Sequence, residues 1–213
     1  MSAAAAPDAR ALVALWRFGG DPLGLVAALD RGAVVAIPTE SSYGLAVDPR
    51  SRDAVAALVR LKGEREGKPL PVVCGSVEAL GALGVIAADP ALAWARPRWP
   101  AALSVVVELE APIAASLGRR DLAVRVPDHE RLRELLIALG RAVTATSANP
   151  GGAPPYLDAG EVARWLERAA PGAGIAEAIV VDGGVLAGGP ASTLVRIEAG
   201  RPVVLRSGRY RFD

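Results

Sequence analysis

Short, uninterrupted apolar runs alternate along the chain with stretches whose apolar positions recur every three or four residues, the signatures of buried strands and amphipathic helices. Asp21-Pro22 has the N-cap and first-turn order that opens a helix, and Gly32 closes it. "AVVAIP" and "YGLAVD" then read as strands, and Ser51 caps the helical stretch "RDAVAALVRLKG". "KPLPVVCG" reads as a strand made edge-like by its prolines. Two short helical pieces, "SVEALGALG" and "DPALAWARPRW", precede the strands "LSVVVEL" and "LAVRVP". Asp128 is expected to cap "HERLRELLIALG", "AVTATS" returns as a strand, and Asp158 with Glu161 makes a capping box for "EVARWLERA". The chain closes on three strands, "EAIVVDGG", "STLVRIEAG" and "PVVLRSG".

The closing strands lack the intervening helices that parallel crossovers need, so the pattern predicts a single α/β domain whose twisted sheet mixes parallel and antiparallel strands flanked by helices. A length of 213 residues suits one such domain. Residues 1–20 are expected as an N-terminal extension and 21–213 as the domain.

Composition narrows the chemistry. The net charge is +1, from 24 basic and 23 acidic side chains, so no global field draws the protein to a polyanion and any phosphate recognition must be local. Cys74 and His129 are the single cysteine and histidine, which excludes an intrachain disulfide and any cysteine- or histidine-rich metal centre. No run approaches the roughly 18 apolar residues of a membrane span, and the expectation is a soluble cytoplasmic protein. Arginine dominates the basic residues; the two lysines, Lys62 and Lys68, fall together.

Polar loops at strand ends are where open α/β sheets bind ligands. "PTESSYG" puts three hydroxyls, a carboxylate and a phenol directly after a buried strand. "LKGEREGKPL" carries Lys62, Arg65 and Lys68 around two glycines, either a cationic loop for a polyphosphate or a solvated helix-end turn; it lacks the spacing of a Walker loop. In "TATSANPGG", Ser147 and Asn149 alternate so that both can face one ligand, or else Asn149 caps an ordinary Asn-Pro-Gly turn. Arg125, flanked by valines, demands an anion, either an internal carboxylate or a substrate's. Ser192 and Thr193 begin a strand, Arg206 sits near the end of the chain, and His129 has no Ser-His-Asp company and is expected to face solvent.

Taken in order, PTESSYGLAVD, LKGEREGKPLPVV, WPAALSVVV, LAVRVPDH, TSANPGG, GPASTLVRI and VLRSG resemble the successive motifs of the YrdC-like family, the L-threonylcarbamoyladenylate synthases, over about Gly32 to Arg206. The resemblance is to the short, single-domain form. It implies a YrdC-like fold with an open, positively lined cavity for ATP with Mg2+, L-threonine and bicarbonate. Threonine and bicarbonate give a carbamate whose oxygen attacks the α-phosphate of ATP, yielding threonylcarbamoyl-AMP and pyrophosphate, and partner proteins pass the threonylcarbamoyl group to adenosine 37 of tRNA. Carried over by motif, Lys62 and Arg65 are the catalytic candidates; Lys62, Arg65, Lys68, Asn149 and Arg206 are expected at ATP, and Thr39, Ser41, Arg125, Ser147 and Ser192 at threonine. No side chain is assigned to a metal, and any tRNA contact is expected to be weak. The motifs also depart from the family pattern: Glu64 stands where arginine is usual, Pro100-Ala101-Ala102-Leu103-Ser104 replaces Pro-Gly-Pro-Leu-Thr, Gly151-Gly152 replaces Ser-Gly, and Val73 occupies a position that is histidine in some members. Two alternatives follow, a non-catalytic RNA- or nucleotide-binding module and a paralogue that forms another carbamoyl-adenylate. Only nine aromatic residues, with near-zero net charge, weigh against a single-strand binder.

Overall fold

A computed structural model of the chain describes residues 11–63 and 67–212. Its strands form two mixed sheets where the sequence suggests one. The first contains β1 (Leu12–Arg17), β2 (Val34–Pro38), β3 (Tyr43–Ala46), β8 (Thr146–Ser147) and β9 (Glu177–Asp182), in the order β1-β9-β2-β3-β8. The second contains β4 (Val72–Val73), β5 (Leu103–Glu108), β6 (Asp121–Arg125), β7 (Val143–Thr144), β10 (Thr193–Glu198) and β11 (Arg201–Arg206), in the order β11-β10-β5-β6-β4-β7.

The single strand expected at "AVTATS" explains the division. Its first half, β7, pairs with β4, and its second half, β8, pairs with β3, so the chain changes sheet at Ala145. Buried Thr144 fastens the joint, accepting from the Val47 amide and donating to the Leu45 carbonyl. The motif "SANPGG" thereby leaves one sheet where it faces the other.

Among the described residues five α-helices cover the sheets: α1 (Pro22–Asp30), α2 (Arg52–Lys62), α3 (Pro90–Ala95), α4 (Glu130–Leu139) and α5 (Ala159–Ala169). Leu25 and Leu29 of α1 and Leu132, Leu135 and Leu136 of α4 pack with Val35, Ile37, Ile179 and Val181 on one face of the first sheet. Val34, Ala36, Leu45 and Val180 on the opposite face join the larger core under α2, α3 and α5. Every residue of β2 is buried, as its unbroken apolar run requires. Among the described residues no helix is long and apolar enough to cross a membrane.

Three local expectations change and one is refined. Leu12–Arg17, inside the stretch read as an extension, is a strand paired in parallel with β9, although Leu12 and Leu15 remain exposed. β4 lies between β6 and β7 rather than at an edge, because Pro69 and Pro71 precede the two residues that pair. "SVEALGALG" is helical as expected, in the tighter 3-10 form over Val77–Leu83. α4 is capped one residue later than expected: His129 Nδ1 accepts from the Leu132 amide, and the ring stacks on Phe18 at 6.5 Å between centroids, so it is only half-exposed. The Asp128 amide instead donates to Glu40 Oε1.

Candidate functional site

A cavity of about 650 Å3 opens between the two sheets. The cavity face of the second sheet follows the two-residue alternation of its strands: Ser104 and Val106 of β5, Asp121, Ala123 and Arg125 of β6, and Leu194 and Arg196 of β10 line the hollow, whereas Leu103, Val105, Val124 and Val195 enter the core. The opposite wall comes from the β2–β3 turn and from β8, through Thr39, Ser41, Ser42, Thr146 and Ser147. Of the expected site residues, Thr39, Ser41, Lys68, Arg125, Ser147, Ser192 and Arg206 line this one cavity.

Lys62 and Asn149 stand behind the wall. Lys62, the last residue of α2, is 5% exposed, and its ammonium lies 2.6 Å from the Ser147 carbonyl, 2.9 Å from the Asn149 carbonyl and 2.7 Å from Asn149 Oδ1. Asn149 Oδ1 also accepts from the Ser147 hydroxyl at 2.6 Å, while its amide nitrogen donates to the Pro150 and Ala153 carbonyls. The Gly151 amide returns a bond to the Lys62 carbonyl. Lysine and amide together lock the Ser-Ala-Asn turn against the end of α2. Arg65, like Glu64, lies outside the described residues.

The β2–β3 turn is also self-braced, since the Thr39 amide and hydroxyl both donate to the Ser42 carbonyl. Ser41 makes no hydrogen bond among the described residues and lines the cavity. Tyr43 of this motif lies along the same cavity, but its hydroxyl is engaged by backbone. Tyr43 is fully buried, and its hydroxyl donates to the Gly184 carbonyl and accepts from the Gly183 amide, each at 2.9 Å. Burial raises its pKa, so it is a neutral hydrogen-bonding post at physiological pH. A Cβ on Gly183 would come within 2.7 Å of Pro38, which is why the chain passes that phenol as Gly-Gly. Tyr43→Phe is expected to lower stability by about 2 kcal/mol through two unsatisfied backbone groups while leaving ligand affinity intact; a thermal melt beside a ligand titration checks both.

Arg125 has the internal carboxylate of its first reading and also borders the cavity. One guanidinium nitrogen meets Glu40 at 2.5 Å, with side chains only 10% and 8% exposed, yet the residue also lines the cavity. Ser192 braces a second arginine, because its carbonyl accepts from Arg206 Nε and Nη2 and its hydroxyl meets that of Ser104 at 2.9 Å. Thr193 is structural, with its hydroxyl donating to the Tyr210 carbonyl and accepting from the Gly208 amide. A Cβ on Gly208 would approach the Ala191 carbonyl to 2.2 Å, so glycine is required where the C-terminal segment closes over this loop.

Three lining residues escaped the sequence reading. Arg119 forms a two-pronged pair with Asp121, at 2.6 and 2.7 Å, and Arg196 reaches across β5 to the same carboxylate at 3.1 Å. The hydrogen bonds and charge of Arg119, with Arg196 adding to them, hold the Asp121 carboxyl below its ordinary range. The available signal was period two in "DLAVR", which puts Asp121, Ala123 and Arg125 on one face. Lys68, Arg119, Arg125, Arg196 and Arg206 thus line one cavity with a single carboxylate among the described residues, Asp121, while Glu40 is paired behind Arg125. Burial, then repulsion from Arg125, lowers the pKa of Arg206, as expected for two guanidinium groups facing one hollow. Such a site is built for an anion.

A family model described as "Telomere recombination", covering Sua5, YciO and YrdC proteins, matches residues 27–208. The chain is 35% identical over 187 residues to a threonylcarbamoyl-AMP synthase of Thiobacillus denitrificans, covering 87% of this chain and 95% of that protein. It is 40% identical over 145 residues to a threonylcarbamoyl-AMP synthase of Halorhodospira halophila, covering 66% and 74%. Among solved structures, P. abyssi Sua5 complexed with L-threonine superposes with a TM-score of 0.75 at 29% identity; the match covers 92% of this chain and 57% of that longer one.

Proposed function

The chain belongs to the Sua5/YciO/YrdC family, and from that premise we propose that it is a threonylcarbamoyl-AMP synthase, a nucleotidyltransferase that joins L-threonine, bicarbonate and ATP. The observation that carries the reading is the shared cavity, which Thr39, Ser41 and Ser147 line together with Arg125, Lys68 and Arg206. That set suits a small zwitterion beside a polyphosphate.

The threonine amine and bicarbonate condense with loss of water to a carbamate. One carbamate oxygen then forms a bond to the α-phosphorus, the bond from that phosphorus to the β-bridging oxygen breaks, and pyrophosphate leaves with the electron pair. The nucleophile is already anionic and the leaving group is competent, so positioning and charge neutralisation supply the acceleration without a proton shuttle. Arg125 takes the threonine carboxylate, Ser41 and Ser147 contact the amino acid, and Lys68 and Arg206 take the phosphates. Lys62 and Asn149 set the shape of the Ser147 wall, and Arg65 remains a candidate for the triphosphate. Magnesium would enter with ATP and would supply charge neutralisation at the phosphates; among the described residues the one carboxylate lining the cavity, Asp121, and Glu40 behind Arg125 are each paired with an arginine, so neither is assigned to hold it. The product is passed by partner proteins to adenosine 37 of tRNA in the cytoplasm, with only weak tRNA contact by this chain.

Pyrophosphate release from ATP and bicarbonate is expected with threonine and to fall to background with no acceptor or with carbamoyl phosphate in place of the amino acid. Release indifferent to threonine overturns the assignment. Nanomolar, strongly salt-dependent tRNA affinity in place of turnover would favour a binding module instead.

A further inference from the structure

β1 ends the first sheet, and among the described residues no strand pairs with its outer side. The Leu12 amide donates to the Ala176 carbonyl, which fixes the phase of the parallel ladder: the backbone groups of Leu12, Ala14 and Trp16 turn to β9, and those of Val13 and Leu15 turn outward. Sheet edges of this kind are ordinarily blunted by lysine, proline or a bulge. β1 has none of these: its sequence is LVALWR, its register with β9 is unbroken, and Leu12 and Leu15 are 69% and 62% exposed. An apolar strand with a row of open amides and carbonyls is a template for another strand.

The strand is complementary to itself in one register. A two-fold axis normal to the sheet sets two copies antiparallel and keeps each face of the sheet on its own side. With the axis at Ala14, outward residue meets outward residue: Val13 of one copy and Leu15 of the other form hydrogen-bonded pairs that exchange both amides. Leu12 then stands opposite Trp16 in the closer, non-hydrogen-bonded kind of pair. Moving the axis to Leu15 fails, because it sets Val13 against Arg17, whose carbonyl already accepts from the Gly20 amide, and carries Leu12 past the end of the other strand. The ground beside the strand suits the Ala14 register too. A cavity of about 380 Å3, lined by Trp16, Phe18 and Pro22 and by Arg131 and Leu135 of α4, opens on the face that carries Trp16, and the Leu12 of a second copy comes to its mouth.

We propose that β1 is a self-association surface whose occupant is a second copy of this chain: two first sheets join edge to edge through antiparallel β1 strands centred on Ala14, with Leu12 of each copy seated at the other's Trp16 cavity. The inference does not depend on the synthase reading. β1 lies at the opposite edge of its sheet from β3 and β8, beside which the ligand cavity opens, so both ligand cavities stay accessible in the pair. A six-residue strand is about 20 Å long, and with the leucines and the cavity mouth it buries an area near the lower limit of about 1,000 Å2 for a specific interface. A reversible dimer with a Kd on the order of tens of micromolar is expected.

Sedimentation velocity on the full chain, up to about 500 μM, reads that equilibrium directly. Leu15→Lys alters an exposed side chain and sets an ammonium into the seam; it is expected to raise the Kd by at least about tenfold while melting temperature and pyrophosphate release stay unchanged. Cysteine variants test the register. Ala14→Cys puts two thiols across the axis with Cα atoms about 4.5 Å apart, within disulfide range, and oxidised glutathione is expected to yield a covalent dimer. Leu12→Cys puts them about 13 Å apart along the strands and is expected to give none. Native Cys74 is buried and does not compete. A wild type that stays monomeric at about 500 μM overturns the proposal. So does a dimer whose Kd is unmoved by Leu15→Lys, or a Leu12→Cys variant that cross-links as readily as Ala14→Cys, since either puts the contact in another place or register.

Discussion

Arg125→Ala is expected to lower kcat/KM for threonine by about 100-fold, the value of losing a charge-assisted, two-pronged contact of about 2.7 kcal/mol to the substrate carboxylate. The structure adds a second consequence. Glu40 meets Arg125 with both side chains at most a tenth exposed, so removing the guanidinium strands a carboxylate in the wall of an anion site. Breaking such a pair from one side costs about 3–5 kcal/mol of stability. The stranded charge also repels the incoming carboxylate. These effects separate in the double variant Glu40→Gln/Arg125→Ala: the neutral amide still accepts from the Asp128 amide as Glu40 Oε1 does, so melting temperature is expected to recover while threonine affinity stays low. Full recovery of threonine affinity in the double variant would reduce Arg125 to a partner for Glu40 and remove it from the substrate.

How legible this site was depends on which physical signal each residue carries. Hydrophobic period and caps located nearly every element, because β2 is a continuous apolar run and α2 and α5 have Ser51 and Asp158 at their first turns. Sheet membership was not legible. "AVTATS" reads as one strand, and only tertiary pairing sends Val143 to β4 and Thr146 to β3. Side-chain direction was equally hidden: the hydroxyl cluster "TESSY" marks the right place, yet its phenol turns to Gly183 and Gly184, and its glutamate becomes the partner of Arg125. Arg119, Asp121 and Arg196 went unnoticed because an acid paired with an arginine from the preceding turn and another from a distant strand has no local pattern. Family motifs brought the right residues into one list. They carried no information on which of them face the ligand and which hold the others.

Lys62 is where that distinction has its largest measurable effect. Motif resemblance puts its ammonium on the triphosphate; the structure puts it on four oxygens of the Ser147–Asn149 turn, the Ser147 hydroxyl the most distant of them. Lys62→Met keeps the aliphatic stem and removes the ammonium, leaving two buried carbonyls and the Asn149 side-chain oxygen short of a donor. A loss on the order of 3 kcal/mol is expected, since each unsatisfied group costs about 1–3 kcal/mol and such costs overlap. For a domain of this size that is a fall in melting temperature of about 10 °C. Turnover is expected to drop about 100-fold even at saturating ATP, because a wall displaced by about 1 Å misaligns the carbamate with the α-phosphorus. A lysine acting only on phosphate gives the opposite split: an unchanged melting temperature, a raised KM for ATP, and turnover restored by excess nucleotide. Thermal melts and ATP titrations on one variant therefore decide whether Lys62 neutralises the substrate or shapes the surface on which it reacts.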